Sequence, residues 1–276
     1  MKTALLQLTS GDDPVANLAM VSAMVQQAAL AGAGFVLTPE VTNIVTSNRV
    51  QRDKVVQAQA EDITLAGLRA QAKALGIWLS IGSLLIKTGD ADGRVANRSF
   101  LIDPTGAIAA QYDKIHLFDV TVSPTETYRE SAGVRPGNRA VIAPTPFGTV
   151  GLTVCYDVRF AQLHRALAHA GAQIILQPAA FSTVTGAAHW EPLLRARAIE
   201  TGCYVLAAAQ TGLHPSSTGE TRRTYGHSMA ISPWGEVLFD AGVDVGISYL
   251  DLDLAQVAAA RSRIPALDHD RAFEGP

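Results

Sequence analysis

The chain has 276 residues, of which 48 % are hydrophobic, and a formal charge of −3 from 22 basic and 25 acidic side chains. It has no lysine and arginine cluster that would neutralise a phosphate backbone, so nucleic acid is not an expected partner. No apolar stretch reaches the length of a membrane span, and the N-terminus turns polar too early for a secretory signal. We therefore predict a cytoplasmic protein without a membrane partner. Its two cysteines, Cys155 and Cys203, fit a reducing compartment.

Strand and helix patterns alternate through the first half of the chain, and no Pro/Ser-rich linker divides it, so residues 1–276 are predicted to form one domain. The predicted elements are a strand over 3–9, an Ala-rich helix over 14–32, a short buried strand in FVLTPE, a helix over 62–76 and a strand in IWLSIGSLLI. This order predicts a β-α-β-α-β unit.

The same order recurs in the second half. Its predicted elements are a strand in FGTVGLTV, a helix over about 160–170, the strand QIILQP at 173–178, a helix over 188–201 and the strand CYVLAAA. SFLIDPTG (99–106) and SMAISPWG (228–235) share the pattern S-x-x-I-x-P-x-G, which predicts a hairpin turn in each half. Two such halves, each with helices on one face of its sheet, would stack their free faces into a four-layer α-β-β-α sandwich.

Three segments carry residues that suit acyl-transfer chemistry. Cys155 in GLTVCYDVRF lies where an apolar strand gives way to polar residues, and Glu40 ends the apolar run FVLTPE. Burial at that strand end is expected to raise the pKa of Glu40 towards neutrality. Lys114 in QYDKIHLF lies among apolar neighbours, so it needs an anionic partner. A packing cysteine, a capping glutamate and a solvated lysine remain the alternatives for each residue alone.

Further candidates are weaker. Glu130 lies in TYRES, within a segment (119–139) predicted to be a loop, where an exposed salt bridge would explain it equally well. His116 is predicted to orient the lysine segment. His189 and Trp190 are predicted to line a substrate pocket, with structural roles as the alternative. Cys203 lies in an apolar strand and is predicted to be structural.

Taken together, TPE (38–40), YDKIHLF (112–118) and CYDVRF (155–160) resemble the three catalytic segments of the nitrilase superfamily of carbon-nitrogen hydrolases, in the same order and over nearly the whole chain. The resemblance implies that Cys155 is the nucleophile, Glu40 the general base and acid, and Lys114 the oxyanion stabiliser. Glu130 matches a second glutamate found in many members.

The resemblance also implies hydrolysis of a small amide, with release of ammonia and an acid through a thioester. The backbone N–H of Tyr156 would help to hold the oxyanion, and Arg159, His189 and Trp190 would contribute to substrate binding. No metal or organic cofactor is expected. Homodimers or higher homo-oligomers are implied, and the tail RIPALDHDRAFEGP suits packing on a partner or a disordered end.

Within the superfamily, HWEPLLRARAIETGCYVLAAAQ and YGHSMAISPWGEV are similar to the branch of deaminated glutathione amidase and omega-amidase, and closer to the former. Ala161-Gln162 replaces the family's common Pro-Glu, and VTNI follows the glutamate where an aromatic residue is often found. Omega-amidase, another aliphatic amidase, an N-carbamoyl hydrolase and a nitrile hydrolyser share these core residues and stay open.

Other classes fit the sequence less well. A metallohydrolase is disfavoured because H-E-x-x-H and C-x-x-C spacings are absent. GHSMA (226–230) precedes a strand and a turn, the wrong context for a serine nucleophile, and the glycines of GAGFV precede a strand instead of following one. The alternative from a different class is an inactive binding or scaffold protein that has kept the fold.

Overall fold

The structure is a computed structural model that describes residues 1–124, 126–219 and 222–275. In chain order the strands are β1 (Lys2–Gln7), β2 (Phe35–Leu37), β3 (Trp78–Lys87), β4 (Val95–Ile102), β5 (Ile108–Asp113), β6 (Asp119–Ser123), β7 (Glu126–Arg129), β8 (Val141–Thr145), β9 (Gly148–Leu152), β10 (Ile174–Leu176), β11 (Tyr204–Ala207), β12 (Thr211–Leu213), β13 (Arg223–Tyr225), β14 (Met229–Ile231), β15 (Val237–Asp240) and β16 (Gly246–Asp251).

The α-helices are α1 (Pro14–Leu30), α2 (Arg49–Val55), α3 (Ile63–Leu75), α4 (Ala161–His169), α5 (Thr183–Thr201) and α6 (Ala255–Arg263), and two short 3-10 turns cover Glu130–Ala132 and Cys155–Arg159. Local chemistry sets the ends of α3. Its first turn is capped by Asp62, whose side chain accepts from the Leu65 amide at 2.8 Å, and it ends at Gly76 with φ +66°. Among the described residues, no helix has both the length and the apolar character to cross a bilayer.

Two six-stranded sheets have matching topology. The first has the order β16-β1-β2-β3-β4-β5 and the second β15-β14-β11-β10-β9-β8. Three parallel strands form the middle of each sheet, β1-β2-β3 in one and β9-β10-β11 in the other, and α-helices connect them. An antiparallel pair follows in each, β4-β5 and β14-β15, joined by the predicted P-x-G turns. The internal duplication is confirmed.

The period-two alternation of apolar residues in the first sheet separates two hydrophobic clusters. Leu5, Leu37 and Leu101 are completely or almost completely buried in a cluster with second-sheet residues such as Leu152. Their neighbours on the opposite face, such as Leu6, instead pack in a cluster with residues of α1 and α3. Helices α4 and α5 pack against the second sheet. The four-layer α-β-β-α prediction is confirmed.

The structure differs from the local predictions in three segments. The segment 119–139 is not only a loop, because β6 and β7 pair as a hairpin in it. Residues 49–55 form α2, which no sequence pattern indicated. Helix α5 begins at Thr183 instead of 188, and Pro192 lies inside it. Its added first turn includes buried Gly186, where a Cβ would lie 2.3 Å from the Tyr225 ring, so this turn packs too closely on Tyr225 for a larger residue.

Candidate active site

The backbone at Cys155 is held in an unusual conformation. Cys155 lies three residues after the end of β9 at Leu152. Its φ is +49°, in the left-handed region that residues other than glycine rarely adopt. Its amide donates to the Pro178 carbonyl at 2.8 Å, which ties it to the segment after β10. Strain of this kind costs about 1–3 kcal/mol and persists only where the surroundings enforce it. The side chain is buried, with 7 % exposure.

Glu40 follows β2 and is also held by its backbone. The segment 38–40 lies directly against Gly82 of β3, where a Cβ would come within 2.1 Å of the Thr38 carbonyl oxygen and 2.4 Å of that of Pro39. Glycine is therefore required at 82 for this close approach. Val41, the next residue, has φ +49°, and its amide donates to the Ser83 hydroxyl at 2.8 Å.

Lys114 joins two carboxylates in the interior. Its Nζ lies 3.0 Å from Oε1 of Glu40, and 3.0 and 2.8 Å from the two oxygens of Glu130. The lysine side chain is 2 % exposed, so the charges meet where water screens them little. The prediction that Lys114 needs an anionic neighbour is confirmed. Glu130 also accepts from the Phe118 amide at 2.7 Å, which fixes its direction.

Two groups at this site were not predicted from the sequence. Nδ2 of Asn97, a buried residue of β4, donates to Oε1 of Glu40 at 2.9 Å and to Oε1 of Glu130 at 3.4 Å. The backbone N–H of Ala180 donates to Oε2 of Glu40 at 2.8 Å. Together they hold the Glu40 carboxylate in one orientation, with Asn97 bridging it to Glu130.

Asp157 connects the cysteine segment to the lysine segment. Its fully buried carboxylate accepts from the Tyr112 hydroxyl at 2.7 Å and from the Val154 amide at 2.8 Å. It also accepts from the His116 amide at 3.1 Å and lies 2.7 Å from the Nδ1 of that residue. Tyr112 and His116 flank Lys114, so Asp157 fixes the lysine relative to Cys155, as predicted in part for His116.

Burial and charge set the protonation states. Burial, reinforced by the negative charge of Glu40, raises the pKa of the Cys155 thiol well above 9.0 despite nearby Lys114, so the thiol is neutral. Burial opposes ionisation of Lys114, but Glu130 and Glu40 outweigh it and raise the lysine pKa well above 10.5. At Glu40, burial would raise the pKa, but the Lys114 charge and hydrogen bonds from Cys155 and Lys114 lower it below 4.5. The expectation of a raised glutamate pKa was therefore wrong.

The protonation state of Glu40 predicts how catalysis depends on pH. A group with a lowered pKa is ionised above that pKa and loses its charge as the pH falls through it, so the acid limb of kcat/KM is expected below pH 4.5. A stopped assay of amide hydrolysis across the acid range, limited to the pH interval in which circular dichroism shows a folded protein, measures this limb. An acid limb near neutrality would contradict the prediction.

A cavity of about 380 Å³ opens at this cluster. Its lining includes Cys155, Glu40, Lys114 and Glu130. The rest of the lining comes from α2 and the loop before it, from β3, β4 and β7, and from the segments around residues 118, 181 and 222. It includes Arg49, Arg52, Leu85, Asn97, Phe118, Tyr128, Arg129, Phe181, Ser182 and Arg222. This volume suits a small organic molecule. Within the described ranges, no group of three or more His, Cys, Asp or Glu side chains is arranged to hold a metal ion.

The other predicted substrate residues lie outside this lining. Trp190 is fully buried, donates from Nε1 to the His227 carbonyl at 2.8 Å and packs on Phe181. The prediction that Trp190 lines the pocket was therefore wrong, because this residue packs behind the lining residue Phe181. His189 is exposed and lies 3.2 Å from an Nη2 of Arg159.

Arg159 and Tyr156 lie beside the cavity wall. The Arg159 guanidinium is 5.7 Å from the ring centroid of Phe181, which lines the cavity, and 5.8 Å from that of Tyr156. Both residues therefore lie next to the cavity wall, but neither is among the residues that line the cavity. Cys203 is fully buried beside Arg261, away from the cluster, as its predicted structural role requires.

Residues 2–262 match the family model described as carbon-nitrogen hydrolase, and the chain belongs to this family. The resemblance to the nitrilase superfamily and the prediction of a carbon-nitrogen hydrolase that acts on amides are thereby confirmed.

Individual relatives agree with this assignment. The chain is 39 % identical over 269 residues to a deaminated glutathione amidase of Yersinia enterocolitica, covering 97 % of this chain and 92 % of the relative. The crystal structure of the C. elegans NitFhit protein matches with a TM-score of 0.89 and 36 % identity over 98 % of this chain, which spans 65 % of that longer chain. Saccharomyces cerevisiae Nit3, described as a member of branch 10 of the nitrilase superfamily, matches with a TM-score of 0.84 and 28 % identity, covering 96 % and 94 % of the two chains.

Proposed function

We propose that this chain hydrolyses deaminated glutathione through a thioester formed on Cys155. The observation that carries the proposal is the convergence of a neutral thiol, an ionised carboxylate and a charged ammonium, from Cys155, Glu40 and Lys114, on one cavity. An amide needs a nucleophile, a proton donor for its nitrogen and positive charge at its oxygen, and these groups supply all three. The similarity to deaminated glutathione amidases supports this choice of amide.

Acylation follows from the protonation states. Glu40 takes the thiol proton as the sulfur of Cys155 bonds to the carbonyl carbon, and the carbonyl oxygen becomes negative. Lys114, with the backbone N–H of Tyr156, stabilises that oxygen. Glu40 then gives its proton to the amide nitrogen as the C–N bond breaks, so the amine leaves neutral and a thioester remains.

Deacylation repeats these roles with water. Glu40 takes a proton from a water molecule whose oxygen bonds to the thioester carbon, and Lys114 again faces the negative oxygen. The C–S bond then breaks, the proton returns to the sulfur of Cys155, and the acid leaves. Each proton-transfer role contributes roughly 10²- to 10⁴-fold to the rate. Glu130 and Asn97 keep Lys114 and Glu40 in place, which makes them positioning residues in this proposal.

The leaving group depends on the amide. In deaminated glutathione the amide nitrogen is that of a peptide bond, so hydrolysis releases an amine, whereas a primary amide releases the predicted ammonia. A test must therefore follow both products. Omega-amidase activity on α-ketoglutaramate, aliphatic amidase activity and N-carbamoyl hydrolysis use the same three groups and form the other arms of that test.

The deciding experiment measures kcat/KM for deaminated glutathione, α-ketoglutaramate, simple aliphatic amides and carbamoyl amino acids, with acid, amine and ammonia all quantified. We expect the highest kcat/KM for deaminated glutathione, because its amide and its carboxylates suit the charged cavity. A flat profile would overturn the substrate choice. Absence of turnover on every arm would favour the inactive scaffold instead.

We further propose that residues 1–276 form one domain, that the protein acts in the cytoplasm, and that it forms homodimers or higher homo-oligomers. The two free cysteines support a reducing compartment. Part of the C-terminal tail packs on its own chain, where Asp270 pairs with Arg165 and lies 2.7 Å from Nε2 of His169. This contact supports an ordered start of the tail.

A further inference from the structure

The lining of the active-site cavity carries more positive than negative side chains. Among the residues that the structure describes, the cationic residues of the lining are Arg49, Arg52, Lys114, Arg129 and Arg222, and the carboxylates are Glu40 and Glu130. In this described part of the lining, five cations against two carboxylates leave an excess of three positive charges, whereas the formal charge of the full sequence is −3. Clefts of one sign concentrate ligands of the opposite sign. The catalytic cluster accounts for only one of these cations, since Lys114 is held between its two glutamates.

Two of the other cations, Arg52 and Arg49, are already paired with acceptor groups of the protein. Arg52 donates to Oδ1 of Asp53 at 2.8 and 2.6 Å and to the Gly133 carbonyl at 3.3 Å. Arg49 lies 3.6 Å from the same aspartate. These two arginines share one carboxylate, which reduces the charge that they offer to a ligand.

Arg222 is differently placed. Within residues 1–124, 126–219 and 222–275, no carboxylate lies within ion-pair distance of its half-buried guanidinium. The carboxylate of Glu126 accepts from the hydroxyls of two cavity-lining residues, Tyr128 at 2.7 Å and Ser182 at 3.0 Å, and forms no arginine pair in those ranges. Arg222 lines the same cavity as Cys155, Glu40 and Tyr128.

The backbone around Arg222 is fixed to the cavity wall. The Arg222 carbonyl accepts from the His214 amide at 2.9 Å, across the β12-β13 hairpin. In β13, which begins at the next residue, the Tyr225 amide donates to the Phe181 carbonyl at 3.0 Å, and Thr224 forms a β-bridge with Ser182. Phe181 and Ser182 line the cavity themselves. The guanidinium is thus carried on an anchored strand end, which lowers the entropy cost of binding.

We propose that Arg222 binds a carboxylate of the substrate, remote from the amide that is cleaved, and so makes the cavity selective for anionic amides. The proposal rests on the proposed amidase function, since it places the amide at Cys155 and the acid group at the other end of the ligand. A guanidinium presents paired N–H donors that match the two oxygens of a carboxylate. A small ω-amide acid such as glutaramate has both groups on one short chain. Deaminated glutathione also carries carboxylates, so both proposals agree.

The test compares binding of glutaramate and of pentanamide, its neutral counterpart with a methyl group in place of the carboxylate. Calorimetric titration uses the Cys155→Ala protein, so that no turnover occurs and the result does not depend on the amidase proposal. Adding Arg222→Gln is expected to reduce the ratio of the two affinities by about 10- to 100-fold, the usual effect of removing a charge-assisted hydrogen bond. A ratio also cancels any effect of the lost charge on Glu40.

Arg223→Gln is the matched control, because this neighbouring arginine is exposed and does not line the cavity. It should leave the affinity ratio within about threefold of its starting value. Arg222→Lys, which keeps the charge and loses the paired donors, should give an intermediate ratio, and thermal unfolding checks that each variant is folded. Equal binding of glutaramate and pentanamide, or equal ratios for Arg222→Gln and Arg223→Gln, would overturn the proposal. Failure of the amidase proposal would appear separately, as absence of turnover by the wild-type protein.

Discussion

Replacement of Cys155 by alanine is expected to reduce amide hydrolysis by at least about 10⁴-fold, because the substitution removes the protein atom proposed to bond to the substrate carbon. Glu40, Lys114 and the cavity would remain, so binding persists while turnover stops. Steady-state assays measure the loss. Intact-mass spectrometry after rapid quench should show an acyl adduct on the wild-type protein and none on the variant.

The matched control is Cys203→Ala. Cys203 is the other free thiol, fully buried between α5 and β11, and its sulfur lies 3.1 Å from Nη2 of Arg261. Its replacement is expected to affect stability and to leave catalysis and the acyl adduct in place. Turnover by the Cys155→Ala variant would show that the covalent route through residue 155 is wrong. So would an acyl adduct that is present on the Cys155→Ala variant and absent from the Cys203→Ala variant.

The second large effect is expected for Glu40→Gln. Glutamine has nearly the same shape but cannot accept the thiol proton, so kcat/KM should fall by roughly 10²- to 10⁴-fold for each proton transfer that becomes limiting. Lys114 keeps Glu130 at 2.8 Å, so its charge stays paired in the variant. An amide N–H₂ would face the Ala180 N–H that now donates to Oε2, with a stability cost of about 1–3 kcal/mol.

Single-turnover measurements make this test specific. In Glu40→Gln both acylation and thioester hydrolysis should slow, whereas the exposed Glu61→Gln control should match wild type in kcat/KM and in unfolding temperature. Chemical denaturation separates lost stability from lost catalysis. A Glu40→Gln enzyme with wild-type kcat and only a raised KM would remove Glu40 from the proton-transfer role.

The sequence predicted the parts of this fold and site that depend on local pattern. Alternating apolar residues and P-x-G turns revealed two similar halves, and these halves fix the stacking of the sheets. Both TPE and VCYD carry a polar residue next to a buried apolar run, which predicted that Glu40 and Cys155 each lie at the end of a strand. Lys114 was found because an ammonium among apolar neighbours requires a carboxylate partner.

What the sequence could not show depends on groups far apart in the chain. Asn97 lies 57 positions from Glu40, and the only local sign of its role was an amide within the apolar strand VANRSFLI. The direction of the Glu40 pKa shift was wrong because only burial is visible locally, whereas the outcome depends on Lys114, 74 positions away. The wall residue Arg222 had no pattern to mark it, since it lies between a turn and a short strand.

Within the part of the chain that the structure describes, the donors around Glu40 leave one lone-pair position of its carboxylate open. Oε1 receives two donors, from Asn97 at 2.9 Å and Lys114 at 3.0 Å, and Oε2 receives the Ala180 N–H at 2.8 Å. A carboxylate has about four lone-pair positions, so one on Oε2 remains for the thiol. In the proposed mechanism this oxygen therefore receives each proton and returns it. In that mechanism we expect the hydrolytic water to approach Oε2 from the side that the amine has left, because the described donors leave no other lone pair of Glu40 open to receive its proton.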